Sequence, residues 1–301
     1  MPLATFVTVR DFIRYAVSEF RKHKLFFGHG TTNAYDEAAS LVLQTLNLPI
    51  DQLEPYLDAK LLAEEKTQIL ENLKLRVEKK LPLAYITNTA YLQGYEFFVD
   101  ERVIIPRSFI AEIILNGQLD PWIEHPELVH RALDLCTGNG SLATIMADHF
   151  YDAEVVAADI SADALDVAAI NLEKNQLTEH VTLIKSDLFR NLEEYLEAFD
   201  LIVTNPPYVD KRRMDSLSDE YRHEPALALF GGDDGLELVD RILRQAKHYL
   251  TRFGVLVVEM GDNRFELEEM YPDLNLQWLE TQSGDGFVFA VTREELADYF
   301  D

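Results

Sequence analysis

Asn205-Pro206-Pro207-Tyr208 stands directly after the apolar run Leu201-Ile202-Val203-Thr204. Neither proline has a backbone N–H, so the stretch accepts hydrogen bonds and hardly donates them. A residue before proline is pushed toward extended geometry, which applies to both Asn205 and Pro206. The result is a stiff, acceptor-rich corner with a ring beside it. Such a corner suits a planar –NH2 group whose hydrogens must be held while its nitrogen stays free.

A second constellation lies upstream, in Asp134-Leu135-Cys136-Thr137-Gly138-Asn139-Gly140-Ser141-Leu142-Ala143. Gly138, Gly140 and Ala143 fit the G-x-G-x-x-G/A nucleotide fingerprint at a strand-to-helix turn. By itself that pattern equally describes a tight structural turn. Asp134 adds to it, because a carboxylate inside an apolar strand needs a reason to exist. Asp159 adds more, since it ends the next strand 19 residues after Gly140 and can hold ribose hydroxyls. These features admit a dinucleotide or S-adenosylmethionine. Asp134 tilts the choice, because it would repel a pyrophosphate and attract the amino end of a methionine moiety. Asp187-Leu188, after a third strand, can reach an adenine, although Asp187 alone would serve as a helix cap.

Together these segments resemble class I S-adenosylmethionine-dependent methyltransferases that modify planar amino or amide nitrogens. The match narrows with Ile104-Ile105-Pro106-Arg107-Ser108, Tyr221-Arg222-His223-Glu224-Pro225 and Gly231-Gly232-Asp233-Asp234-Gly235-Leu236, which look like the protein-(glutamine-N5) methyltransferases. The stretch from Phe27 to Ala38, FGHGTTNAYDEA, is similar to the branch that modifies the third large-subunit ribosomal protein. It is unlike the branch acting on release factors. The resemblance covers nearly the whole chain. Asn139 and Ser141 depart from the usual glycine-turn pattern but leave both glycines in place.

The resemblance implies methyl transfer from S-adenosylmethionine to a glutamine side-chain nitrogen, without a metal. It implies a cofactor set of Asp134, Thr137, Gly138, Asn139, Gly140, Asp159, Ile160, Asp187, Leu188 and Asn205. It implies catalytic roles for Asn205, Pro206 and Tyr208, with Pro207 and Arg107 joining them around the substrate. The chemistry is consistent with those assignments. An amide nitrogen is a poor nucleophile because its lone pair is delocalised, as the rotation barrier of about 18–20 kcal/mol shows. As the N–C bond forms, the nitrogen's hydrogens become more acidic, so acceptors aimed at them strengthen toward the transition state. Asn205 Oδ1 and the Pro206 carbonyl are the acceptors, and Tyr208 would pack on the flat amide.

Composition bounds the alternatives. The chain has 301 residues, 27 Lys plus Arg and 53 Asp plus Glu, a formal charge of −26. Phosphate binding rests on clustered cations, so a broad nucleic-acid footprint is disfavoured and a basic partner favoured, here a large-subunit ribosomal protein. A nucleic-acid base methyltransferase remains the first rival, with Lys211-Arg212-Arg213 as its small basic candidate, read more simply as an exposed loop. A non-enzymatic ribosome-assembly module is the second. Cys136 is the single cysteine, which suits a reducing compartment. No secretory pattern or bilayer-length apolar run is visible, so the protein reads as cytoplasmic, with no membrane partner. The histidines show no metal-ligand spacing.

The elements that must position these residues follow from periodicity. Residues 1–86 read as a helical substrate-recognition domain, with helical stripes at Phe12, Ile13, Ala16 and Phe20, at Ala38, Leu41 and Val42 after an Asn33 cap, and at Ile69, Leu70, Leu73 and Val77. Pro82 ends this block. Residues 87–105 alternate around Gly94 as a hairpin or linker. Residues 106–301 read as the methyltransferase domain, with a helix opening at Pro106 and then alternating strands and helices. That order predicts an α/β fold: a doubly wound, mostly parallel, Rossmann-like sheet with a smaller helical N-terminal domain. His29 reads as a loop residue with a structural or docking role. Arg107 is read equally as a substrate contact or as the partner of an acid, and Glu224 as scaffolding.

Overall fold

The computed structural model describes residues 5–282 and 284–300. The chain divides into two compact units. The first contains the described residues up to Ala90 together with Val99–Glu101 and Ser218–His223. Its helices are α1 (Val9–Lys22), α2 (Ala34–Thr45), α3 (Ala63–Glu78) and α4 (Leu83–Thr87). Thr8 and Asp11 form a reciprocal capping box at the start of α1. Asn33 Oδ1 accepts from the backbone N–H groups of Tyr35 and Asp36, as the sequence predicts. Pro82 does not end the helical block. It precedes α4, because the lost N–H of a proline is harmless at a helix start. The apolar stripes meet in one core around Phe12, Phe20, Leu41 and Ile69.

Arg76 lies inside this first unit at 1% exposure. Its Nε donates to Glu37 Oε1 at 2.5 Å, its Nη1 to Glu220 Oε1 at 3.4 Å and its Nη2 to the Phe26 carbonyl at 2.8 Å. Glu220 Oε1 also accepts from the Phe26 N–H at 2.9 Å. A buried guanidinium stripped of such partners would be strongly destabilising. This network explains why Ser218–His223 folds with the helices although its sequence position falls within 106–301. His29 is buried here, its ring centroid 4.3 Å from that of Tyr221.

Strands β1 (Thr89–Leu92) and β2 (Tyr95–Phe98) pair as a two-stranded sheet. Gln93 and Gly94, between them, have φ of 50° and 85°, the sign required at both positions of a tight two-residue hairpin.

The second unit contains Tyr91–Phe98, Arg102–Leu217 and the described chain from Glu224 onward. It begins with α5 (Ile110–Leu115), then β3 (Arg131–Leu135), α6 (Ser141–His149), β4 (Glu154–Asp159), α7 (Ala162–Lys174), β5 (Val181–Lys185), β6 (Phe199–Thr204) and α8 (Lys211–Ser216). It continues through α9 (Glu237–Ala246), β7 (Leu250–Glu259), α10 (Arg264–Met270), β8 (Gln277–Thr281), β9 (Gly284–Thr292) and α11 (Arg293–Phe300). Two sequence expectations need correction. The helix does not open at Pro106 but at Ile110, where Ser108 Oγ and Phe109 N–H both donate to Glu259 Oε2, at 2.6 and 2.8 Å, and the Ile110 N–H donates to Ser108 Oγ. Lys211-Arg212-Arg213 is not a loop but the start of α8, capped by Asp210.

The seven-stranded sheet runs β5-β4-β3-β6-β7-β9-β8. Neighbours from β5 to β7 pair parallel, while β9 pairs antiparallel with β7 and β8. Both faces are covered, as a parallel sheet requires. Leu201 and Val203 enter a core with residues of α5, α6 and α7, while Ile202 enters another with residues of α9 and α11. The strand order reverses between β3 and β6, so the crevice beyond their carboxyl ends is where such a sheet binds ligands.

Candidate active site

The registers align the strand ends at that crevice. Leu135 of β3 faces Ala158 of β4 and Thr204 of β6, and Asp159 faces Lys185 of β5. The segments that follow are therefore brought together: 136–140, 159–161, 186–188 and 205–208. They surround a cavity of about 260 Å³. Gly138, Asp159, Ile160, Asp187, Leu188, Asn205 and Pro207 line it, from among the residues chosen by sequence.

Asp134 is not among the lining residues but directly precedes one of them, Leu135, and is 1% exposed. Its Oδ2 accepts from Thr137 Oγ1 at 2.5 Å and from the Ala143 N–H at 2.9 Å. Its Oδ1 is buried and has no hydrogen-bond partner among the described residues. Burial pushes this carboxyl up to about 7, against the opposing pull of its two donors. An orphaned, charge-hungry oxygen of this kind fits an incoming ammonium.

The turn above it is built by unusual backbone. Cys136, Gly138 and Gly140 have φ of 63°, 55° and 77°. A Cβ on Gly138 would meet nothing within 4 Å, so that glycine serves the turn and leaves its surface open to a ligand. A Cβ on Gly140 would stand 3.0 Å from the Ala168 Cβ, so this glycine is needed for α6 to pack on α7. Asn171 Nδ2 donates to the Asn139 carbonyl at 2.8 Å and holds the turn from behind. Thr137, Asn139 and Gly140 thus shape the turn rather than line the cavity.

Asp159 Oδ2 accepts from the Gly138 N–H at 2.9 Å, and Oδ1 from the Ser161 N–H at 2.8 Å. Burial raises its pKa. Each oxygen keeps a second lone pair, so the carboxylate can clamp the turn and still accept from hydroxyls. Asp187 Oδ1 accepts from Arg241 at 2.9 Å, and both residues line the cavity. The Cys136 thiol lines the cavity as well, and burial raises its pKa, which suits packing and not nucleophilic attack.

At the far wall, Asn205 is half-buried while Pro206 is buried and does not line the cavity. Tyr208 does not line it either, since its ring lies over Gly261. Arg107 forms a two-pronged pair with Glu224, at 2.6 and 2.9 Å, and Glu224 Oε1 also accepts from the Ile105 N–H at 2.9 Å. Of the two sequence readings of Arg107, the acidic partner is present in the fold.

The model of the methyltransferase small domain matches residues 122–220. The chain is 55% identical over 289 residues to the ribosomal protein uL3 glutamine methyltransferase of Neisseria meningitidis serogroup B (strain ATCC BAA-335 / MC58), spanning 96% of this chain and 94% of that one. It is 48% identical over 296 residues to the protein of the same name from Burkholderia pseudomallei (strain K96243), spanning 97% and 96%. The chain belongs to the ribosomal protein uL3 glutamine methyltransferase family. Among solved structures it is similar to the hMettl16 catalytic domain in complex with MAT2A 3'UTR hairpin 6, with a TM-score of 0.50 and 16% identity over 77% of this chain and 84% of that one. At that identity the likeness concerns the fold alone.

In this member of the uL3 glutamine methyltransferase family, several cavity residues escaped the sequence reading. Arg102, Val103 and Ile104 form one wall, and Pro225, Leu227 and Ala228 another. Ile104 and Pro225 stand inside motifs that carry the resemblance but without an assigned role, because nothing in a loop sequence says which side faces a ligand. Arg241 sits on amphipathic α9, where an arginine looks like any solvated cation. Glu259 was legible by the rule that singled out Asp134, since it closes the apolar run of β7. It is 2% exposed, and burial pushes it up to about 7. Among the described residues no cluster of three or more His, Cys, Asp or Glu could hold a metal ion, and no helix is long and apolar enough to cross a membrane.

Proposed function

We propose that this protein transfers a methyl group from S-adenosylmethionine to the side-chain nitrogen of a glutamine in ribosomal protein uL3. The observation that carries the reading is the shared wall: Gly138, Asp159 and Asn205 face one cavity at the sheet's reversal point. The relatives named above carry that activity in their names.

Asp134 would take the amino group of the methionine moiety at its orphaned oxygen, Asp159 the ribose hydroxyls and Asp187 the adenine. Bound there, S-adenosylmethionine supplies an electrophilic methyl group on a sulfonium. Asn205 Oδ1 accepts from the substrate carboxamide and orients its nitrogen, while Pro206, buried behind it, keeps the corner stiff. The hold of Asn205 strengthens as the nitrogen gains positive charge, which is what lowers a barrier. Pro206 and Pro207 offer no N–H that would compete for the carboxamide oxygen. No base is needed beforehand, because the methylated nitrogen cation is acidic and loses its proton to water. Tyr208 packs over Gly261 and stiffens the corner from outside the cavity. The charge of −26 steers the enzyme toward a cationic ribosomal protein.

The deciding experiment supplies labelled S-adenosylmethionine with purified uL3, release factor, or protein-free ribosomal RNA and DNA. Label on a uL3 glutamine, located by peptide mass spectrometry, supports the reading. Label on nucleic acid overturns it in favour of base methylation.

A further inference from the structure

Asn205–Tyr208 poses a mechanical problem. Two of its residues cannot donate a backbone hydrogen bond, so carbonyl acceptors and packing carry more of its hold than in an ordinary turn. Asn263 supplies the first. Its Nδ2 donates to the Tyr208 carbonyl at 2.8 Å, and the residue is 2% exposed. Its Oδ1 accepts from Arg213 Nη1 at 3.0 Å. Because a guanidinium only donates, the oxygen of the carboxamide must face Arg213 and the nitrogen must face Tyr208. Arg213 therefore fixes which way Asn263 points.

Glycines supply the packing. A Cβ on Gly235 would stand 2.5 Å from the Tyr208 carbonyl oxygen, and one on Gly231 2.6 Å from the Pro207 carbonyl oxygen. A Cβ on Gly261 would stand 2.7 Å from the Tyr208 ring. Beyond Tyr208, the Val209 N–H donates to the Leu229 carbonyl at 2.9 Å, and the Gly231 N–H to the Val209 carbonyl at 3.0 Å. The corner is thus seated in a backbone cradle, with Asn263, the N-cap residue of α10, hydrogen-bonded to it at Tyr208.

We propose that Asn263 is a positioning residue for methyl transfer. By holding the Tyr208 carbonyl it sets where Asn205 presents its acceptor oxygen, although it does not line the cavity itself. The inference rests on the reading that Asn205 grips the acceptor carboxamide.

The test compares Asn263→Asp and Asn263→Ala with Asn205→Ala, using uL3 methylation kinetics, calorimetric affinity for S-adenosylhomocysteine and thermal unfolding. Asn263→Asp keeps the size and the acceptor for Arg213 but loses the donor. The expected result is a fall in kcat of about tenfold or more, the scale of one lost hydrogen bond, with cofactor affinity within about twofold and cooperative unfolding retained. A kcat within about twofold of wild type, beside an impaired Asn205→Ala, overturns the proposal. So does a parallel loss of cofactor affinity and kcat, which marks a merely structural role. Full turnover by Asn205→Ala instead removes the underlying reading of the corner, and this proposal with it.

Discussion

Thr204 donates its hydroxyl to the backbone carbonyl of Leu135 at 2.7 Å, tying the last residue of β6 to the last residue of β3. Both residues are fully or almost fully buried. Asp134 precedes Leu135 and Asn205 follows Thr204, so this bond reinforces the β3–β6 ladder where it sets the spacing across the cavity. Thr204→Val keeps the shape and removes the donor, leaving the carbonyl to its ladder contacts alone. It is expected to cost about 1–3 kcal/mol in chemical denaturation and to lower kcat more than it changes cofactor affinity.

Asn205 and Asp159 line the same cavity from opposite strands, and their loss should separate kinetically. Asn205→Ala is expected to cut turnover by roughly 10²–10³ while cofactor still binds, as losing one oxyanion-type contact does. Asp159→Ala is expected chiefly to weaken cofactor binding, since it also releases the Gly138 N–H. Steady-state kinetics beside calorimetry tells the two apart. Full methylation of uL3 by Asn205→Ala would show that the assigned role is wrong.

The Asp134 carboxyl is raised to about 7 by burial, and with the proposed ammonium contact cofactor affinity is expected to depend on pH near neutrality. Below that value it is protonated in the unliganded protein and offers no charge to an ammonium. Affinity for S-adenosylhomocysteine is therefore expected to weaken as pH falls below about 7, approaching roughly tenfold per unit for a single coupled proton. Asp134→Asn should bind weakly throughout and lose that slope. Calorimetry from pH 5.5 to 8 reads both.

Glu259 is likewise pushed up to about 7 by burial, against an ordinary value of 4.5, with the Ser108 hydroxyl and Phe109 N–H opposing the shift. The folded state then holds a proton that the unfolded chain releases between those values. The stabilisation is complete below the unfolded pKa and is lost as pH rises through the folded one. Glu259→Gln, which cannot ionise, is expected to gain melting temperature relative to the wild type as pH rises from about 4.5 to above 7. Equal pH dependence in the two proteins would show that Glu259 is charged throughout.

Some of this arrangement was legible along the chain and some was not. The Asn33 cap, the hairpin at Gly94 and the order of strands after Arg131 follow from spacing and turn chemistry, which are local. Pro106 suits a helix start in any sequence, whereas α5 starts at Ile110, where Glu259, distant in sequence, accepts from Ser108 and Phe109. The pairing of Arg107 with Glu224 was left open for the same reason.

By itself the sequence determined the chemistry on offer: a donor-poor Asn-Pro-Pro-Tyr corner, a glycine turn and carboxylates placed after apolar strands, each a property of neighbouring residues. Only the tertiary structure decided which of them share a cavity, that Tyr208 turns toward Gly261 and not into it, and that Asn263 grips the corner. Strand order, register and long-range hydrogen bonds set these outcomes, and they join residues whose separation along the chain carries no trace of the contact.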